Sequence, residues 1–367
     1  MAVNTILLDF TVKPSQLPYS QQEDLMTNVL ENFFPHLTKV HKREMEDGGF
    51  LLFFTAIRGS FLSVRSFPQG LITINIEYYK QDSEEEILSF KQMQSMESQL
   101  TFVLNSVRSK LFPTLKRGSA IDFYLNSSDE RILEYDIDAL VFEEKSPYQK
   151  VQIVHSRTLG NMLILDGLQN LSDRDLIYTE TLMQRGKEDY AGKEIVILGG
   201  GDGALLYELL KENPKNVLMF ELDEVVIRAC RMHMRECCGD VLDSMKGPNY
   251  EIILGDCMTS LEAMIKENRQ FDYVFGDLTD VPVTPTPQNE IWDFIRLILK
   301  TSMKILKPKG KYMTHCCGAA CPGALKMFED QLSSLGCEVD YTKATAFIPS
   351  FLEDWLFYQI WKKEKDV

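Results

Sequence analysis

Basic residues are scarce in this 367-residue chain: 39 lysines and arginines stand against 54 acidic residues, a formal net charge of -15. That deficit excludes a general nucleic-acid binder, which needs a basic face to displace counterions. It suits cationic ligands better, although surplus surface carboxylates also serve solubility. Cysteine is sparse too, eight residues at irregular spacing, which excludes the disulfide framework of a secreted mini-protein and leaves reduced thiols as the expectation. No apolar run approaches the length that spans a bilayer, and "MAVNTILLDFTVKPS" has no basic segment leading into a long apolar core. A cytoplasmic protein is expected. The five histidines (His36, His41, His155, His233 and His315) form no HxxxH pair. The clusters Cys237-Cys238 and "HCCGAAC" lack a CxxC-like bite. No bound metal is expected, and the histidines read as structural or surface residues.

What is present divides along the chain. Residues 1–115 read as a small α+β unit, with strand-like "NTILLDFTV", "FLLFFTAIRG", "FLSVRSF" and "LITINIEYY" between a helical "SQQEDLMTNVLENFF" and a second long helix at about Ser83 to Leu111. A sheet with one open face must bury it, so dimerisation is the expected use of this unit. "LFPTLKRGSAID" reads as a linker. Residues 116–172 alternate apolar and polar residues in the manner of antiparallel hairpins. From 173 to 367, apolar runs such as "IVILGGG", "NVLMFELD", "YEIILGDC" and "FDYVFGDL" alternate with helical patterns. That is the grammar of an α/β, doubly wound, mostly parallel sheet.

In such sheets ligands bind beyond the carboxyl ends of the strands. Four successive ends are acidic: Gly199-Gly200-Gly201-Asp202-Gly203, Glu221-Leu222-Asp223, Gly255-Asp256 and Gly276-Asp277. Turn formation or helix capping accounts for any one of them. The glycine spacing alone is weak, but Glu221, 18 residues beyond Gly203, stands where a carboxylate grips a ribose diol. Asp202 then chooses among nucleotides, because two like charges about 4 Å apart repel by about 4 kcal/mol at an effective dielectric near 20. A pyrophosphate is disfavoured. A nucleoside with a positive centre, of the S-adenosylmethionine type, fits instead, with Asp256 near the adenine amino group.

These residues, together with "EYDID" (Glu134 to Asp138), "SPYQ" (Ser146 to Gln149), "GNMLILDG", "GDC" and "DLTDVP", resemble the aminopropyltransferases, the polyamine synthases, nearest to the spermine synthases of animals. The resemblance implies a catalytic sheet of the S-adenosylmethionine-dependent methyltransferase type, Rossmann-like, and an N-terminal domain similar to S-adenosylmethionine decarboxylase that forms a homodimer. It implies decarboxylated S-adenosylmethionine as co-substrate, a polyamine acceptor and 5′-methylthioadenosine as leaving group. Gln149, Glu221, Asp223 and Asp256 match nucleoside-binding positions, with Gly199, Gly201, Asp202, Gly203 and Cys257 counted among them. Tyr178, Asp202 and Asp277 match positions near the reacting amine. Glu353 and Trp355 match the region that receives the far end of spermidine. Departures from the family pattern are Ala204 after the glycine turn, Gly276 before the aspartate and Ser119 in place of a glycine.

The chemistry this implies is in-line attack of an amine on the methylene beside a sulfonium, which requires the amine, with a pKa of about 10.4, to lose its proton. Asp277 is the expected amine-orienting base, and "VPVTPTPQ" is the expected covering loop. By alternation, "SFLEDWLFYQIW" reads as an edge strand with Glu353 exposed and Trp355 half packed. The resemblance instead makes the two a seat for a second ammonium. Alternatives are a putrescine acceptor, a methyltransferase with a cationic substrate, and a non-catalytic dimer of the same fold.

Overall fold

The structure, a computed structural model, describes residues 2–14, 18–278 and 290–363. Two compact units divide the chain, Met1–Asp122 and Phe123–Val367.

The first unit is built on an antiparallel sheet. Its central strand, Ala2–Thr11, pairs with Leu71–Lys80 on one side and with Arg108–Leu111 and Leu115–Arg117 on the other. Alternate residues of each strand fill one face: Ile6, Leu8 and Phe10 meet Leu62, Val64, Ile72, Ile74 and Ile76. The helices Tyr19–Phe33 and Phe90–Val103 cover them with Met26, Leu30, Met93, Met96 and Leu100. Each such aliphatic side chain contributes about 1.5–3 kcal/mol by leaving water. The second helix is shorter than the expected Ser83–Leu111. Ser89 caps its start through a capping box with Gln92, Asn105 turns the chain out at φ 47°, and Arg108–Leu111 is a strand. Part of the expected linker, Leu115–Arg117, is likewise strand, because its backbone finds partners at Val3–Thr5.

The second unit opens with a short hairpin, Tyr124–Asn126 with Ile132–Glu134, and a four-stranded antiparallel meander from Ile137 to Ser172. The main sheet follows. Its strands lie in the order Tyr250–Leu254, Asn216–Glu221, Glu194–Gly199, Phe271–Asp277, Leu306–Gly318, Glu353–Lys362, Val339–Ile348. Only Glu353–Lys362 runs against the rest. Ile195 to Leu198 and Val217 to Phe220 are buried on both faces, as a parallel sheet sandwiched between helices requires. One core continues from the meander (Val151, Ile153, Leu163, Leu171) into this sheet. The fold is the expected one: an α+β unit, a small antiparallel sheet, then a mostly parallel doubly wound sheet. Among the described residues no helix is long and apolar enough to cross a membrane.

Candidate active site

The strand order reverses between Glu194–Gly199 and Phe271–Asp277, which opens a crevice at their carboxyl ends. The turn after the first strand enters that crevice. Gly199 has φ +83°, and a Cβ there would stand 2.0 Å from the Asp277 carbonyl; a Cβ on Gly201 would stand 2.6 Å from Glu221 Oε2. Only glycine lets this backbone approach both neighbouring strand ends. Gly203 ends the turn, and the helix Ala204–Leu210 begins.

A cavity of about 410 Å³ fills the crevice. Its wall carries five carboxylates, Asp202, Glu221, Asp223, Asp256 and Asp277, and among the described residues neither lysine nor arginine. Glu221 Oε2 accepts from Gly201 N at 3.0 Å and Oε1 from Asp223 N at 2.8 Å. A carboxylate offers about four acceptor positions, more than these two bonds use. Burial raises the Glu221 carboxyl to about 7, and burial also raises that of Asp202, whose Oδ1 accepts from Ala204 N at 2.7 Å. Asp223 caps the helix Glu224–His233 through Val225 N. Its other oxygen accepts from Ser146 Oγ at 2.7 Å and Gln149 Nε2 at 3.0 Å. Asp256 caps Cys257–Lys266, accepting from Met258 N at 2.9 Å and Thr259 Oγ1 at 3.1 Å. Both acids therefore cap helices while lining the cavity.

On the opposite wall Tyr178 Oη donates to Asp277 Oδ1 at 3.3 Å, and Gly200 N donates to the Asp277 carbonyl at 3.1 Å. The Tyr178 ring is set by edge contacts with Phe351 and Phe357, at centroid distances of 6.0 and 5.2 Å.

Of the residues expected here, Gln149, Tyr178, Gly199, Gly201, Asp202, Glu221, Asp223, Asp256, Cys257 and Asp277 all line the cavity. Gly203, Glu353 and Trp355 do not. A Cβ on Gly203 would meet Leu242 and Cys238 at 2.8 and 2.9 Å, so this glycine serves packing. The edge-strand reading of Glu353 and Trp355 is corrected: their strand lies between two others, and each residue is 5% exposed. Glu353 accepts from Ser128 N at 2.7 Å and Ser128 Oγ at 2.6 Å, while Trp355 packs edge-on against Phe351 at 4.7 Å. The expected covering loop, 281–288, lies outside the described residues. Sequence reasoning missed Phe294, Phe351 and His315, all in the cavity wall. For His315 the signal was its place at the end of an apolar run, beside the strand that ends in Asp277. None of the eight cysteines is in a disulfide, and the described residues hold no cluster of metal-ligating side chains.

A Rossmann-like, doubly wound sheet whose switch point holds a cavity walled by carboxylates is an arrangement that suits a cationic ligand. Residues 175–367 match the spermine/spermidine synthase domain, 123–173 the spermidine synthase tetramerisation domain, and 30–118 the S-adenosylmethionine decarboxylase N-terminal model. Thermospermine synthase ACAULIS5 of Arabidopsis thaliana is 27% identical over 245 residues, 65% of this chain and 69% of the relative. Polyamine aminopropyltransferase 1 of Hyperthermus butylicus is 28% identical over 222 residues, 59% and 73% of the two chains. The polyamine aminopropyltransferase of Sulfurisphaera tokodaii is 35% identical over 160 residues, covering 42% of this chain and 51% of the relative. In fold, the chain is similar to the crystal structure of spermidine synthase from Thermotoga maritima, with a TM-score of 0.52 at 20% identity over 68% of this chain and 81% of that one. The chain belongs to the spermine/spermidine synthase family. It is a polyamine aminopropyltransferase, an enzyme class whose co-substrate is decarboxylated S-adenosylmethionine.

Proposed function

We propose that this enzyme moves the aminopropyl group of decarboxylated S-adenosylmethionine to spermidine, giving spermine and 5′-methylthioadenosine. The observation that carries the reading is the cavity wall, five carboxylates without a lysine or arginine among the described residues. Donor and acceptor are both cations, and such a wall attracts both. The match of 30–118 to an S-adenosylmethionine decarboxylase N-terminal model supports the spermine assignment.

In this reading Glu221 holds the ribose hydroxyls, Asp256 and Cys257 border the adenine, and Gln149 and Asp223 close the nucleoside side. Asp202 faces the donor's ammonium. Asp277, with Tyr178 as its hydrogen-bond donor, meets the acceptor amine. The amine reaches the site as an ammonium; Asp277 orients it and takes one proton, which frees the lone pair that then forms the new C–N bond. The C–S bond breaks in the same step, and its electron pair stays on a neutral thioether. Charge disperses along the reaction, so a water-excluding cavity favours it.

Glu353 and Trp355 are assigned to the far end of spermidine. A putrescine acceptor is the second reading, and one observation favours it: both Glu353 oxygens already accept from Ser128, outside the cavity wall. Residues 1–115 are assigned to dimerisation in a cytosolic enzyme, 116–172 to a further assembly element and 173–367 to catalysis. The test is incubation with decarboxylated S-adenosylmethionine and either putrescine or spermidine, followed by polyamine chromatography. Spermine as the product establishes the first reading, spermidine from putrescine alone the second, and neither product removes both.

A further inference from the structure

The regular ladder between Phe271–Asp277 and Leu306–Gly318 ends at the pair Gly276 and Thr314, one residue short of Asp277. Beyond it, side chains replace backbone donors. Thr314 Oγ1 donates to the Gly276 carbonyl at 2.8 Å, and His315 Nε2 donates to the Leu278 carbonyl at 3.1 Å. Between them the Asp277 carbonyl accepts from Gly200 N at 3.1 Å. Three consecutive carbonyls are therefore held by three donors, two from the strand Leu306–Gly318 and one from the turn after Gly199. The residue at the centre carries the carboxylate that faces the cavity.

His315 acts on a second determinant of that carboxylate. Its ring lies 5.7 Å from the ring of Tyr178, whose hydroxyl donates to Asp277 Oδ1. It is 5% exposed, and it lines both the main cavity and a small apolar annex of about 40 Å³ shared with Leu278, Phe294 and Tyr312. A carbonyl only accepts, so the Leu278 contact places a proton on Nε2.

We infer that His315 is a positioning residue for aminopropyl transfer. It fixes the backbone at Leu278 and the ring of Tyr178, and through both the carboxylate of Asp277. The inference rests on the reading of Asp277 as the group that meets the amine. A histidine that merely fills the core would affect stability alone, whereas one that sets the reacting geometry changes turnover, since a misplacement of about 1 Å can cost about a hundredfold in rate.

The test compares His315→Leu, which has no donor, with His315→Gln, whose amide reaches where Nε2 stands, each alone and combined with Asp277→Asn. Turnover is measured on decarboxylated S-adenosylmethionine and the acceptor, and nucleoside affinity by titration with 5′-methylthioadenosine. His315→Leu is expected to lower kcat about tenfold to a hundredfold with nucleoside affinity within about twofold, and His315→Gln to recover to within about threefold of the parent. In the Asp277→Asn background His315→Leu is expected to add less than about twofold, because both changes act on one element. Unchanged turnover in His315→Leu beside a slow Asp277→Asn overturns the inference and leaves the reading of Asp277 standing. Parent-like turnover in Asp277→Asn removes that reading instead. Equal losses in the Leu and Gln variants, or nucleoside affinity falling in step with kcat, mark a structural role and overturn the inference. If His315→Leu does not fold, His315→Gln against His315→Asn decides in the same way, since the shorter amide does not reach the Leu278 carbonyl.

Discussion

The hydroxyl of Tyr312 occupies the space that a side chain at residue 276 would need: a Cβ built on Gly276 would stand 1.9 Å from Tyr312 Oη and 2.7 Å from Cζ. The absence of a side chain at Gly276 is therefore matched by the residue on the adjacent strand. Gly276→Ala is expected to destabilise the fold by about 1–3 kcal/mol, because the overpacked ring has to shift. Combined with Tyr312→Val the two changes should be non-additive, with a coupling of about 1 kcal/mol or more in favour of the pair. Urea unfolding of the four proteins measures it, and simple additivity would sink the idea.

Asp277→Asn keeps the shape of the carboxylate and its contact with Tyr178 but removes the proton acceptor. Turnover is expected to fall by about 10²- to 10⁴-fold, the range for loss of a positioned acid or base. Affinity for 5′-methylthioadenosine should stay within a few-fold, since the residues assigned to the nucleoside lie on other strands. Single-turnover kinetics and a binding titration separate the two.

Glu221 gives a pH prediction whose sign follows from burial. Its carboxyl is raised from 4.5 to about 7 in the folded, ligand-free protein. The folded state then holds a proton that the unfolded chain releases, so this group's stabilising effect is complete below pH 4.5 and is lost as pH rises through about 7. A diol is gripped by the ionised form, so nucleoside affinity should rise over the interval in which apo-protein stability falls. Glu221→Gln is expected to flatten both trends and weaken the nucleoside. Melting temperatures and titrations between pH 5 and 8.5 measure the two together; a parent-like slope in the variant would falsify the assignment.

Much of this site was legible because charge and position agree: four strand ends carry acids, and the parallel sheet brings strand ends together whatever lies between them. Residues whose role depends on side-chain contacts across the sequence were not legible. His315 belongs to an apolar strand by pattern, and nothing local shows that its Nε2 reaches Leu278. Glu353 looked exposed because alternation reports two faces of a strand but not its neighbours; the insertion of its strand between Leu306–Gly318 and Val339–Ile348 buried it. The motif "EYDID" turned out to serve architecture. Tyr135 Oη donates to the Ser350 carbonyl at 2.6 Å, and Asp136 accepts from Thr158 Oγ1 at 2.6 Å. In the first unit the overlong second helix was a boundary error, since helical periodicity continues past a residue such as Asn105 that leaves helical φ.

Deletion of residues 1–122 tests the assembly. The unit removed carries one sheet face packed by helices and another bearing Leu51, Phe53 and Phe61, all partly exposed. If that second face joins two copies, the truncated chain should lose mass in solution by light scattering, and its specific activity should fall. A truncated protein with the parent's oligomeric state and turnover would remove the dimerisation role.

Acceptor choice turns on Glu353, where two outcomes can be told apart. Its carboxylate holds Ser128 through both the backbone N–H and the hydroxyl, with Arg131 Nη2 4.0 Å from Oε2. Glu353→Gln leaves one acceptor oxygen for two donors, so the fold should weaken by about 1–3 kcal/mol whatever the substrate. If Glu353 also receives the distal ammonium of spermidine, the Michaelis constant for spermidine should rise about tenfold or more, because a charged hydrogen bond contributes about 1.5–3 kcal/mol. Ser128→Ala separates the effects. It removes the hydroxyl partner but keeps the charge, so it should weaken the fold without raising that constant. Equal Michaelis constants in Glu353→Gln and the parent would confine Glu353 to holding Ser128, and the acceptor assignment would pass to putrescine.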